Sequence, residues 1–321
     1  MPSFLVPYLR IARPDHWAKH IFIVPGIFLA AFMAESLAWN QVAMNVVLGF
    51  ASACLLASAN YVINEWLDSE TDKQHPDKCK RASCQGLVTA RGVYVEYILL
   101  VVAGLGIASF VNTLFFLSAI LFFLSGILYN VPPFRTKDIV FVDVITESLN
   151  NPIRLLFGWS MISPNWLPPL SMMLCFLFGG AFLMAAKRLS EFRHIVEKKG
   201  REAAKLYRRS FAFYSEDSLL LSCFAYAVLT SFLLGVLLMK YRVEYILTLP
   251  LFTWLFAYYL RRGLQPGSVA QKPEKLLTDK HLRLITLLLV AAFTVLTAYD
   301  IPWLERLLLT RFSEVPLDRL W

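Results

Sequence analysis

The chain has 321 residues, of which 57% are hydrophobic and only 17% charged, with a formal net charge of +8. Soluble domains carry about 25% charged residues, so one polytopic membrane domain over residues 1–321 fits better than the two soluble domains the length alone would allow. No basic–aromatic stacking pattern accompanies the positive excess, which argues against nucleic-acid binding.

Nine apolar runs are long enough to cross a bilayer: 17–36, 43–65, 93–112, 114–130, 139–161, 167–187, 217–240, 244–261 and 282–300. The fold class this predicts is all-α, a polytopic membrane helical bundle of nine transmembrane helices, with a tight turn near Asn112 between the third and fourth. With alternate loops assigned to one side, twenty-five of the 31 Lys and Arg fall on the side of the N-terminus, five on the other, and Arg154 inside a span. Positive residues stay in the cytoplasm, so the N-terminus is expected inside. Arg10, Arg13 and Lys19 precede a first span too long for a signal peptide. The five cysteines are scattered and read as reduced and non-catalytic.

Leu5, Tyr8, Leu9, Ile11 and Ala12 alternate with Arg10 and Arg13 in a pattern suited to a short helix along the membrane surface. In Arg13 to His20, RPDHWAKH, Trp17 suits an interfacial anchor and Lys19 a snorkelling charge.

At the end of the second span the chain turns from apolar to charged. Asn64, Glu65, Asp68, Glu70 and Asp72 crowd together, followed by Lys73, Lys78, Lys80 and Arg81. If the helix continues past Trp66, then Glu65, Asp68 and Asp72 (i, i+3, i+7) share one face with Asn64 beside them. Close carboxylates repel unless a cation sits among them. A row of hard oxygen ligands suits Mg²⁺, which binds a few carboxylates plus substrate phosphates; the bland alternative is a solvated acidic helix end. His75-Pro76 is expected to end the helix, and Lys78 and Arg81 to form a loop able to close over a diphosphate.

Pro132-Pro133 forces a turn after the fourth span and brings Tyr129, Arg135 and Lys137 to the cytoplasmic mouth. In the fifth span Asp143, Glu147, Asn150, Asn151 and Arg154 form one polar stripe on an apolar helix. An ionisable residue at mid-membrane costs roughly 2.5–3.5 kcal/mol, so the stripe must face partners or a wet cavity. Interhelical glue would explain the asparagines but not Arg154 among carboxylates. The sixth span ends in Lys187, Arg188 and Glu191; Arg binds phosphate as a bidentate fork and Lys as a point charge, although positive-inside anchoring also accounts for the two cations. Residues 66–92 and 187–216 are the expected cytoplasmic caps, the latter including a charged helix over Glu197 to Arg209. Residues beyond Asp217 carry no readable chemistry.

N-E-x-x-D-x-x-x-D at 64–72 resembles the N-D-x-x-D-x-x-x-D signature of the UbiA superfamily of intramembrane prenyltransferases, with Glu65 where the family usually has Asp. The continuation from Asp72 to Lys78 is similar to one branch, the decaprenyl-phosphate phosphoribosyltransferases. So are RPDHWAKH, which is similar to that branch's R-P-x-Q-W-x-K-N, and K-R-x-x-E at 187–191. Y-x-x-P-P-x-R-x-K at 129–137 occurs in similar form in several such enzymes. The resemblance covers residues 10–215.

What the resemblance implies is a Mg²⁺-dependent transferase of a bacterial inner membrane, its site facing the cytoplasm. Asn64, Glu65, Asp68 and Asp72 hold the metal, and Glu65, Asp68 and Asp72 serve catalysis. Lys19, Lys78, Arg81, Tyr129, Lys137, Asp143, Arg154, Lys187, Arg188 and Glu191 bind substrate. Most prenyl-diphosphate-using members carry a second aspartate motif where this chain has Lys187 and Arg188. That departure points to phosphoribosyl diphosphate as donor and a polyprenyl phosphate as acceptor. The alternatives are a prenyl diphosphate donor with an aromatic or other small acceptor, or a membrane transporter using the polar fifth span.

Overall fold

Thirty-four consecutive residues, Trp39–Asp72, form a single helix, α3. At 1.5 Å per residue it is about 50 Å long against a hydrocarbon layer of about 30 Å, so its final turns reach past the apolar zone. Those turns carry Asn64 to Asp72. The computed structural model describes residues 5–34, 36–73, 78–265 and 279–309; the expected helix end at His75-Pro76 lies outside them.

The remaining helices are α1 (Val6–Ala12), α2 (Val24–Met33), α4 (Ala90–Ser109), α5 (Thr113–Asn130), α6 (Val142–Ser148), α7 (Asn150–Ile162), α8 (Leu170–Tyr207), α9 (Glu216–Tyr241), α10 (Leu249–Gly263), α11 (Lys280–Ala298) and α12 (Pro302–Leu309). A tight 3₁₀ stretch, Pro14–Ile23, joins α1 to α2. The described residues contain no strand. Asn112 makes the expected tight turn before α5: its side chain accepts from Phe115 N at 2.9 Å and donates to Ser160 O at 2.8 Å.

Eight stretches among the described residues are long and apolar enough to cross a membrane: Val6–Met33, α3, α4, α5, α8, α9, Val243–Gly263 and α11. The fifth expected span, 139–161, is two consecutive helices, α6 and α7, jointed at Leu149. The cause is Pro152, which has no N–H to offer the Ser148 carbonyl and crowds it with its ring. α6 ends at Ser148.

α3 packs against α4, α5 and α7, and α8 against α6, α7 and α9. Leu56, Phe115, Phe122 and Phe157 lie in one core cluster, and Phe182, Leu189, Phe211 and Tyr214 in another. α2 and α7 approach closely at Gly26 and Gly158, where an added Cβ would strike the backbone oxygens of Leu155 and Ile23. α8 runs on past the expected end of its span at 187 to Tyr207, through a break at Gly200 (φ 81°) that glycine adopts without steric cost. The charged helix expected over 197–209 is this continuation.

Candidate active site

The carboxylate row lies on one face of α3 as the i, i+3, i+7 spacing requires, and it is not splayed into water. Arg13 Nη2 donates to Glu65 Oε2 at 2.7 Å. Arg135 Nη2 and Lys137 Nζ meet Asp68 Oδ1 at 2.7 and 2.6 Å. Arg81 pairs with Asp72 Oδ2, and Lys78 Nζ lies 3.5 Å from Asp72 Oδ1. Three carboxylates are thus met by five cations from three other segments, which removes their mutual repulsion and leaves the site positive. Asn64 Nδ2 donates to Asn130 Oδ1, which also accepts from Lys137 Nζ at 3.1 Å. Lys137 is only 7% exposed, and burial pushes its ammonium down to about 8 against the opposing pull of Asp68.

Two cations of this set are aimed by backbone strain. Arg13 (φ 49°) and Arg135 (φ 33°) occupy the left-handed region, unfavourable for a residue with a Cβ. Such residues persist where their surroundings over-determine them. Arg13 is held by Glu65, and Arg135 by Asp68 and by Asp138 at 2.8 Å.

A second network centres on Arg188 of α8, 2% exposed. Its Nε lies 3.4 Å from Asp143, its Nη1 lies 3.1 Å from Glu191, and its Nη2 pairs with Glu147. Asp143, fully buried, is further bound by Arg208 Nη2 at 3.2 Å, Tyr214 Oη at 2.6 Å and Ser210 Oγ at 3.3 Å. Tyr129 Oη donates to Glu147 Oε2 at 3.0 Å and accepts from Arg208 Nη2 at 3.1 Å. Arg208 also donates to the backbone oxygen of Lys137 at 3.4 Å. The two networks are therefore joined through Tyr129–Asn130 and Lys137. The caps meet as well, with Lys78 Nζ 5.3 Å from the centre of the Tyr207 ring.

Arg154, on α7, has no ion pair at bonding distance with either, though Glu147 and Tyr61 act on it at longer range. Its Nε is buried without a hydrogen-bond partner, and its guanidinium lies 5.8 Å from the Phe122 ring. His20, 3% exposed, likewise has an unpartnered buried Nδ1. Lys19 Nζ sits 5.9 Å from the Tyr61 ring and 3.3 Å from His16 Nδ1. Trp17, expected as an interfacial anchor, donates its indole N–H to Ser58 Oγ at 3.0 Å.

Against the sequence-based expectations, two residues change character. All three guanidinium nitrogens of Arg188 face carboxylates, so it braces α6 against α8 instead of presenting a fork to phosphate. Asp143 likewise faces protein partners on every side. Lys187, beside Arg188, is half-buried and has no ion-pair partner among the described residues. Arg13, Arg208 and Tyr214 carry the networks but were not singled out by sequence. Arg13 stood in the quoted RPDHWAKH motif; nothing local marks Arg208 or Tyr214, whose partners lie far away in the chain.

No group of three or more His, Cys, Asp or Glu side chains converges to hold a metal by itself among the described residues. The row does fit a Mg²⁺ ion of the kind that takes one or two carboxylates and completes its shell with substrate phosphates and water. Its oxygens are hard and grouped on one helix face, and the cations beside them suit a polyanion.

A polytopic α-helical bundle with an acidic row at one mouth and a buried arginine–carboxylate network beside it describes an intramembrane transferase. The chain belongs to the UbiA prenyltransferase family, whose model matches residues 21–277. It is similar to the decaprenyl-phosphate phosphoribosyltransferases of Mycolicibacterium smegmatis (28% identical; 66% of this chain, 63% of that one) and Mycobacterium tuberculosis (26% identical; 60% and 62%). The match thus spans less than two thirds of either relative. A UbiA homologue from Archaeoglobus fulgidus bound to GPP and Mg²⁺ shares the fold, with a TM-score of 0.67 at 20% identity over 91% of this chain and 100% of that one.

Proposed function

We propose that this protein is a Mg²⁺-dependent intramembrane phosphoribosyltransferase, carrying a phosphoribosyl group from phosphoribosyl diphosphate to a polyprenyl phosphate with release of pyrophosphate. The observation that carries the reading is the row Glu65, Asp68 and Asp72, over-matched by cations, at the mouth of an apolar bundle. The decaprenyl-phosphate phosphoribosyltransferase relatives support this choice of donor and acceptor. So does Lys187, a cation where a second aspartate motif would otherwise stand.

Asn64, Glu65, Asp68 and Asp72 hold the metal, which when bound offsets the charge of a diphosphate leaving group. Lys78, Arg81 and Lys137 add fixed positive charge around that diphosphate. Lys187, Arg154 and Lys19 attract the phosphate of the lipid, whose chain lies in the apolar interior. An oxygen of the lipid phosphate attacks the anomeric carbon of the ribose. The C–O bond to the diphosphate breaks and its electron pair leaves on pyrophosphate. No general base is required, because a phosphate monoester is already anionic. Arg188 with Asp143, Glu147 and Glu191, tied to Tyr129, keeps α6 and α8 in place, and Arg208 and Tyr214 fasten the cap over them. The site faces the cytoplasm of a bacterial inner membrane, the side on which a water-soluble donor and most of the Lys and Arg lie.

Purified protein incubated with Mg²⁺, polyprenyl phosphate and ribose-labelled phosphoribosyl diphosphate is expected to move label into the lipid. Label that stays in water while a prenyl diphosphate is consumed on an aromatic acceptor would replace this reading with the prenyltransferase one.

A further inference from the structure

Two loops that meet at the mouth of the bundle carry large exposed apolar side chains. Ile139, Phe141 and Val142 stand at the entry to α6, and Phe213 at the turn before α9. Tyr214 joins the two loops: its hydroxyl accepts from Phe141 N at 2.7 Å, and the two rings meet edge to face at 5.4 Å. Tyr214 is fully buried, whereas Phe213 next to it is 77% exposed and Phe141 43%. A contiguous apolar ridge of this kind marks a contact surface.

The helices set the level of the ridge. α6 and α7 together run from 142 to 162, about 30 Å at 1.5 Å per residue, which matches the hydrocarbon layer. The entry to α6 therefore falls at one hydrocarbon boundary, and the exposed Trp166, just past α7, at the other. Phe213 stands just ahead of α9, whose first turns expose Leu220, Leu221 and Phe224. The ridge thus continues a lipid-facing surface. Arg209, exposed in the turn before Phe213 although 3.5 Å from Asp138, adds a cation that suits anionic headgroups. Phe141 also has a φ of 63°, unfavourable for a bulky side chain and kept only where the surroundings over-determine it. Tyr214 holds its N–H from one side, which leaves the exposed side of the ring for lipid.

We infer that Ile139, Phe141, Val142 and Phe213 sit in the boundary between headgroups and acyl chains of the leaflet on the side of the acidic row, and that this seat fastens Tyr214 onto Asp143. The path from lipid to network is short. Tyr214 Oη donates to Asp143 at 2.6 Å, and Asp143 meets Arg188 at 3.4 Å and Arg208 at 3.2 Å. Burying one phenylalanine ring shifts an equilibrium about tenfold or more. Phe141 and Phe213, bonded to or adjoining Tyr214, therefore let the leaflet bias the fastened form. The Arg188 network is held by the membrane as well as by its own ion pairs, whichever donor and acceptor the enzyme takes.

The test uses the full chain in nanodiscs of phosphatidylcholine and phosphatidylglycerol, and needs no substrate. With the photoreactive p-benzoylphenylalanine in place of Phe213, irradiation is expected to give a phospholipid adduct, both in nanodiscs and in native membranes. Absence of that adduct in nanodiscs overturns the inference, and so does an adduct to another polypeptide in native membranes, which would make the ridge a protein-docking surface. Amide hydrogen exchange reads the fastening. F213N is expected to speed exchange over 139–145 and 210–216 about tenfold or more while α3 exchanges as before, and F213W, which restores an interfacial ring, to match the wild type. Within the protein alone Phe213 is nearly bare, so a ridge standing in water makes F213N neutral. An F213N that exchanges like the wild type therefore overturns the inference, as does an increase spread over α3 as well, which would deny a local seat.

Discussion

Replacing Asp68 by Asn separates the two tasks of the acidic row. Asp68 Oδ1 receives both Lys137 at 2.6 Å and Arg135 at 2.7 Å. Asn retains an acceptor oxygen but loses the charge, which leaves Lys137, 7% exposed, without its compensating carboxylate. Stranding one member of a buried ion pair costs about 3–5 kcal/mol; since Asp68 is 18% exposed, the bottom of that range, about 3 kcal/mol, applies. Lys137→Gln should recover most of this loss in the double variant, because the stranded charge is then gone. Turnover should not recover, since the missing carboxylate also serves the diphosphate; a fall of about 100-fold or more is expected in both D68N and D68N/K137Q. Denaturation in detergent reads the first quantity and pyrophosphate release the second. Should D68N turn over at the wild-type rate, or should K137Q restore turnover along with stability, the row is a structural ion-pair cluster and its catalytic assignment is wrong.

Arg188→Met leaves Asp143, Glu147 and Glu191 facing one another without their common cation; a loss of about 3–5 kcal/mol is expected, and Arg188→Lys should rescue it only in part because an ammonium cannot present a fork to three carboxylates. Denaturation midpoints of the two variants check this. Tyr214→Phe removes the hydroxyl that donates to Asp143 at 2.6 Å and accepts from Phe141 N at 2.7 Å, at a cost of about 1–3 kcal/mol. Its turnover should approach wild type at low temperature and fail early on heating. Lys187→Gln should raise the KM for polyprenyl phosphate about tenfold; an unaltered KM would remove Lys187 from the acceptor's path. Pro152→Ala should let the Ser148 carbonyl take its helical partner and fuse α6 to α7, tilting Glu147 against Arg154; its readout is lost transfer with stability kept or raised.

The acidic row was legible because it needs only local geometry: in an unbroken helix, residues at i, i+3 and i+7 share a face wherever the helix packs. The apolar runs were legible for a similar reason, since bilayer thickness fixes their length. The α6–α7 joint carried a signal in Pro152, yet the hydropathy of 139–161 concealed it. What the sequence did not reveal is which cation meets which carboxylate. Arg13 and Glu65 are 52 residues apart, and Tyr214 and Asp143 are 71 apart; no periodicity within one helix relates them. Arg188 shows the same limit in another form. K-R-x-x-E specifies that Arg188 and Glu191 lie one turn apart, but the acids of a different helix decide whether the arginine binds phosphate or braces the bundle.

The most direct measurement of the central assignment is the melting temperature of the detergent-purified protein with Mg²⁺ and each candidate donor. A ligand at 100 times its Kd stabilises by about 2.7 kcal/mol, which such a scan resolves. The account expects Mg²⁺ and phosphoribosyl diphosphate together to raise the midpoint of the wild type and not of D68N. A rise with Mg²⁺ and a prenyl diphosphate, with phosphoribosyl diphosphate leaving the midpoint unmoved, would contradict it.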